Sequence, residues 1–227
     1  MIEITNTEVF GWDAAIRGMR NPMNSWDKSD RKHWRETIVG HVVDYRDIGK
    51  NNYALMKKLV KAGSDHAKFM RMINVTMDVT APLYYWKEFS TYKVGTVANS
   101  CSTMHTIADK EFTLEDFSHE HLTPAAMAAL RTVIERLNFA RKEFLKDRKG
   151  SEFGMPSAKE YWWDMIQLLP SSYNQLRTVQ LNYAVLRNMY HARRNHKLDE
   201  WRDFCSWVET LPYAELITLG GNDNGKD

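Results

Sequence analysis

Apolar and polar positions alternate most regularly near the middle of the chain. Between 72 and 80, Ile73, Val75, Met77 and Val79 are interleaved with Asn74, Thr76, Asp78 and Thr80, a period of two that predicts a strand with one buried face. Ala81-Pro82 interrupts it, and Pro at a first helical turn predicts a helix over 83–90. Helical spacing dominates elsewhere. Tyr53, Leu55, Met56, Leu59 and Val60 predict a helix over 51–62 ended by Gly63. Thr123-Pro124 is a cap followed by a first-turn proline, and Met127, Leu130, Val133, Ile134, Leu137 and Phe144 carry that helix to 146. Ser157 caps a further helix that Pro170 closes, and helices are expected over 175–194 and 198–210. A weak alternation over 2–10 opens the chain as a strand, and 11–34 reads as loop with a short helical piece around 13–19.

These elements predict a helix-rich α/β (α+β) fold, a single domain over 1–219 with a small sheet, and a polar, disordered tail over 220–227. Length and charge narrow the picture. The chain has 227 residues and a net charge of +2. A balance of that kind argues against bulk DNA or RNA binding. No apolar run is long enough for a membrane span, and no secretory leader is read at the start. Two cysteines, Cys101 and Cys205, make no disulfide framework. The expected compartment is therefore the cytoplasm, with no membrane partner. No metal is expected, since neither C-x-x-C nor H-E-x-x-H spacing occurs.

Two segments carry candidate chemistry. On a helix over 175–194, Asn182 and Arg193 share a face with Val185, Leu186 and Met189. Two polar groups on an apolar stripe need partners. A backbone carbonyl and a carboxylate or water would serve; so would an extended nucleotide, with the two groups about 16 Å apart along a helix. The segment 93–105 is rich in Gly, Ser, Thr and Asn. Lys93, Thr96, Ser100, Ser102 and Thr103 could donate to a phosphate or ribose, or the serines could cap helices. Cys101 and His105 are four apart, but no third group orients them. His119 and His121 read as surface loop.

Three stretches resemble the flavin-dependent thymidylate synthases. One is the strand ending in Ala81-Pro82 with LYYWKEF after it. The second is TYKVGTVANSCSTMH, at the place of the family's R-H-R-x-x-S-x-N-E-x-S-x-R-Y. The third is LLPSSYNQLRTVQLNYAVLRNMYHARRNHKLDEW, which is similar to the family's C-terminal block. Residues 1–50 are much harder to match. The resemblance implies a homotetramer that holds FAD and deoxyuridine monophosphate, with methylenetetrahydrofolate and NADPH as co-substrates for reductive one-carbon transfer. It assigns Lys93, Thr96, Asn99, Ser100, Cys101, Ser102, Thr103 and Arg193 to the nucleotide, and Tyr92, Asn182, Asn188 and Arg193 to the cofactor. No catalytic residue is assigned.

The departures concern charge. The R-H-R triplet reads Thr91-Tyr92-Lys93, the substrate-helix Gln falls on Glu88, the Arg before Leu-Pro falls on Ile166, and the flavin-region His falls on Met72. The signature's late Ser and Arg fall near Cys101–Ser102 and Thr103–Met104. Arg is a bidentate phosphate clamp that none of these residues replaces. Arg46, Lys50, Arg71, Arg177, Arg187 and Arg194 are the other cations that could compensate. Two readings follow. One is a divergent flavoenzyme; the alternative is a non-catalytic, phage-encoded protein that sequesters a nucleotide on the same scaffold.

Overall fold

A computed structural model describes residues 2–38, 41–146 and 156–220. The expected tail beyond Gly220 lies outside the described residues. The chain opens with β1 (Glu3–Phe10) and α1 (Trp12–Arg20), then two short 3-10 turns at Asn21–Met23 and Trp26–Lys28. A hairpin of β2 (Lys32–Ile38) and β3 (His41–Asp47) follows, paired antiparallel from Lys32 opposite Asp47 to Ile38 opposite His41. Next come α2 (Lys50–Lys61), a 3-10 turn (Ala67–Met72), β4 (Asn74–Pro82), α3 (Leu83–Phe89), β5 (Val97–Ser100) and α4 (Thr103–Thr106). The remainder is α5 (Pro124–Leu145), α6 (Ala158–Leu168), β6 (Asn174–Asn182), α7 (Tyr183–Arg193), α8 (Asp199–Glu209) and α9 (Glu215–Thr218).

The main sheet is four-stranded and antiparallel, in the order β1-β4-β6-β5. β4 and β6 each run without a loop into a helix, α3 and α7. Their register is the same at both ends: Leu83 N donates to Tyr173 O at 3.0 Å, and Tyr183 N donates to Ile73 O at 3.0 Å. Midway, the Thr178 hydroxyl donates to Asp78 Oδ1 at 2.6 Å.

The helix expected over 175–194 is corrected here. Its first half is β6, and α7 begins only at Tyr183. Val179 and Leu181 are buried while Leu176, Thr178 and Gln180 are exposed, a period of two that ends where Asn182 caps the helix. The hairpin β2–β3 and the short α9 were not foreseen. The strand over 2–10, the alternation in β4 and the caps Thr123 and Ser157 are found as expected.

The chain divides into two compact units, and β4 and β6 pass through both. The first contains the described parts of Met1–Thr5, Asp78–Thr91 and Ala98–Thr178. Its core joins Leu130, Ile134 and Leu137 of α5 to Tyr161 and Met165 of α6, with Phe112 and Phe117. The second contains Asn6–Met77, Tyr92–Val97 and the described part of Val179–Asp227. There α7 packs on α8, α9 and the Ala67–Met72 turn, and Tyr183, Leu186, Trp201, Phe204 and Leu216 are buried.

Candidate functional site

In the first unit the site grows from the start of β6. Gln175 is buried, and a buried amide needs partners. Its Nε2 donates to the Cys101 carbonyl at 2.7 Å, and its Oε1 accepts from Arg177 Nε at 3.0 Å. The Arg177 guanidinium lies 4.4 Å from the centre of the Trp86 ring, a cation–π contact. Trp86 Nε1 in turn donates to the Gln175 carbonyl at 2.9 Å. Cys101 N donates to Leu176 O at 3.0 Å. This closed network fixes the link between β5 and α4. Arg177 is thereby committed to structure, and burial lowers its pKa from the usual guanidinium value.

Cys101, Gln175 and Leu176 of this network line a cavity of about 430 Å³, in the size range of small-molecule sites. Thr80, Cys101, Thr103, Thr106, Tyr173 and Asn174 line it, with Lys110 and Asp116 at its charged side. The Lys110 ammonium and the Asp116 carboxylate form a tight ion pair. That hydrogen bond raises the Lys110 pKa. Burial, with help from Asp116, raises that of Tyr173, so its phenol stays a neutral donor at physiological pH. Asp109 and Glu115 also line the cavity. Carboxylates outnumber ammonium groups there, which disfavours a phosphate and suits hydroxyls and ring N–H groups.

In the second unit, Tyr92–Val97 runs along α7. At the helix start, Asn182 Oδ1 accepts from Val185 N at 3.1 Å, the N-cap bond. Gly95 has φ +76°, and a Cβ there would stand 3.1 Å from Asn182 Nδ2 and from Val185 Cγ2. Only glycine fits that conformation and that approach without strain. The hydroxyl of the next residue, Thr96, is buried without a hydrogen-bond partner among the described residues. At the helix end, Arg193 Nε donates to the Tyr92 hydroxyl at 3.0 Å, and its guanidinium lies 4.9 Å from the Trp201 ring.

Asn182 and Arg193 therefore belong to the two ends of one short helix, with Asn182 a cap rather than a mid-helix side chain. Eleven residues of rise still set them about 16 Å apart along the helix axis. Asn188 is exposed on α7, Lys93 is exposed, and Tyr92 is half-buried. Asn99 and Ser100 are exposed on β5, and Ser102 is half-buried ahead of α4. Of the candidates in the first unit, Cys101 and Thr103 reach the cavity. Arg187 donates to the Ile217 carbonyl at 3.0 Å and to those of Leu216 and Gly220 at 3.4 Å, closing off α9. Met72 is exposed, and Ile166 packs on the α5–α6 core. Arg46 lies among residues whose side chains are not described. Among the described residues no group of His, Cys, Asp and Glu could hold a metal, and no helix is long and apolar enough to cross a membrane.

Sequence reasoning missed Lys110, Asp116, Tyr173, Asn174 and Gln175. One signal was present: Thr113-x-x-Asp116 is a capping box, with Thr113 N donating to Asp116 Oδ2 at 2.8 Å, and it places that carboxylate.

No family model matches the sequence, and no curated protein matches it. Solved structures do match in fold. Thymidylate synthase X (ThyX) from Helicobacter pylori with FAD and dUMP superposes with a TM-score of 0.62 at 15% identity, over 95% of this chain and 96% of that one. A second complex of that enzyme with FAD and dUMP gives 0.62 at 15%, over 94% and 96%. The UMP/dUMP methylase PolB from Streptomyces cacaoi bound with 5-Br dUMP gives 0.57 at 14%, over 97% and 95%.

Proposed function

We propose that this chain, which has the fold of the flavin-dependent thymidylate synthases, binds a pyrimidine deoxynucleotide and a flavin and performs reductive one-carbon transfer. The observation that carries this reading is the Thr96 hydroxyl, buried without a partner on a glycine turn pressed against the start of α7. An unpaired buried hydroxyl is costly, and a ligand acceptor would satisfy it. Asn182 Nδ2 lies beside the same turn, while its Oδ1 is held by the cap. These groups fit the polar edge of an isoalloxazine, with Tyr92, Asn188 and Arg193 as further cofactor contacts and Lys93 as the local positive charge. A bound flavin would supply the redox chemistry, with methylenetetrahydrofolate and NADPH as co-substrates.

The nucleotide's base and sugar suit the cavity of the first unit. Thr103, Thr106, Asn174 and the Tyr173 phenol offer neutral hydrogen bonds, and the carboxylates accept from sugar hydroxyls. The acidic lining keeps the phosphate at the mouth, where Asn99, Ser100 and Ser102 are candidates. A homotetramer in the cytoplasm is the assembly this reading carries, without DNA, RNA or membrane partners.

The second reading is sequestration of the nucleotide without turnover. Arg193 favours it, because its guanidinium is held by Tyr92 and Trp201. Visible absorption after adding FAD and desalting separates the readings. Bands near ~370 and ~450 nm that survive desalting, followed by dUMP-dependent NADPH oxidation, support the flavoenzyme. A colourless protein that dUMP still stabilises against heat supports sequestration; one that neither ligand affects overturns both.

A further inference from the structure

Arg20, the last residue of α1, is 4% exposed. Its guanidinium donates to Asn52 Oδ1 at 2.8 Å and to the carbonyls of Ser25 and Lys28, both at 3.0 Å. Those acceptors are neutral, and the two carbonyls flank Trp26. Asn52 is itself fixed, its Nδ2 donating to the Ile48 carbonyl at 2.6 Å and to the Ser29 hydroxyl at 3.0 Å. A buried cation thus clamps the Trp26–Lys28 turn from beneath. The Trp26 side chain above it is 51% exposed, and its indole N–H donates to Asn21 Oδ1 at 2.8 Å. The indole is held by one hydrogen bond and its turn by the clamp, yet the ring is left open to solvent, where apolar surface is costly.

Beside this ring is a cavity of about 270 Å³ lined by Asp13, Arg17, Arg20, Trp26, Ser29 and Arg31. Arg31 pairs with Asp13 at 2.7 Å. Three guanidinium groups therefore line the cavity with one carboxylate, and the Asp30 carboxylate interacts with Arg20 from nearby, which leaves the lining positive. Guanidinium groups match phosphate oxygens in pairs, and an immobilised indole is a stacking surface for a planar base.

We propose that this cavity binds a nucleoside monophosphate, with the phosphate on Arg17 and Arg31 and the base stacked on Trp26. The volume admits the phosphate and part of the sugar, and the base lies outside against the indole. Arg20 adds positive potential while its hydrogen bonds hold the turn. None of these residues belongs to the sites assigned above, so the proposal stands or falls by itself.

The test is isothermal titration of the full chain with the four ribonucleoside monophosphates, the matching nucleosides and inorganic phosphate, for wild type, Arg17→Ala and Trp26→Ala. Both side chains are exposed, so both variants should fold. At least one monophosphate should bind. Trp26→Ala should weaken it about tenfold through lost stacking, and Arg17→Ala about tenfold through a lost charged hydrogen bond. Flavin retention should not change in either variant. The proposal is overturned if no monophosphate binds, if either substitution leaves every binding component unchanged, or if nucleosides or inorganic phosphate bind the affected component as tightly as the nucleotide.

Discussion

Asn182 has two jobs that substitution can separate. Its Oδ1 caps α7 and its Nδ2 faces the Gly95 turn. Asn182→Ala should cost about 1 kcal/mol in urea denaturation through loss of the cap. Asn182→Asp keeps the cap, so its stability should stay near wild type. It removes the amide donor, however, and should release FAD on desalting that wild type retains. Equal FAD retention by both proteins would reduce Asn182 to a cap. His191 gives a second test at this scale. Its ring nitrogens are buried beside the backbone of Ile217 and Leu219. Burial, then Arg187 and Arg194, lowers its pKa from 6.5. The unfolded chain thus takes up the proton first, and stability should fall as pH drops below about 6.5 towards the folded-state value. His191→Gln should lose less melting temperature between pH 7.5 and 5.5 than wild type does. Identical losses would show that acid sensitivity arises elsewhere.

At the scale of elements, legibility followed punctuation. β4 was readable because four apolar residues alternate with four polar ones and Ala81-Pro82 marks its end. α5 and α6 were readable from Thr123-Pro124 and Ser157. β6 passes into α7 through Leu181-Asn182-Tyr183 with no Gly or Pro, and its apolar residues are few enough to fit a helical stripe as well as a strand. The cap itself, Asn182, is the available mark, and an Asn on an apolar stripe fits a ligand group equally well. The candidate site was legible only where sequence neighbours build it, as in Cys101 and Thr103. Tyr173 and Lys110 reach the same cavity through pairing and turn contacts distant in sequence. The strand assignment is testable. Leu181→Ala should cost about 2–5 kcal/mol, because the side chain is buried. Gln180→Lys, on the open face, should change stability by less than about 0.5 kcal/mol. Comparable costs at both positions would contradict the period-two burial.

For the whole molecule, fold and chemistry carry different weight. A chain at 15% identity keeps the ThyX fold over 95% of its length, while the arginines that grip a nucleotide in the resemblance are largely absent from the matching positions. The first unit instead has a neutral-to-acidic cavity lined by Gln175, whose amide is fixed by Arg177 and the Cys101 carbonyl. A ligand whose neutral end enters that cavity agrees with both facts. The most direct measurement is calorimetric titration of dUMP into wild type and Tyr173→Phe. Phe keeps the ring packing against Phe112 and Phe117 and removes only the phenolic donor. Saturable binding with a component weakened about tenfold by the substitution is the predicted result. Absence of saturation in wild type, or equal affinity in the variant, would contradict the placement of the nucleotide in this cavity.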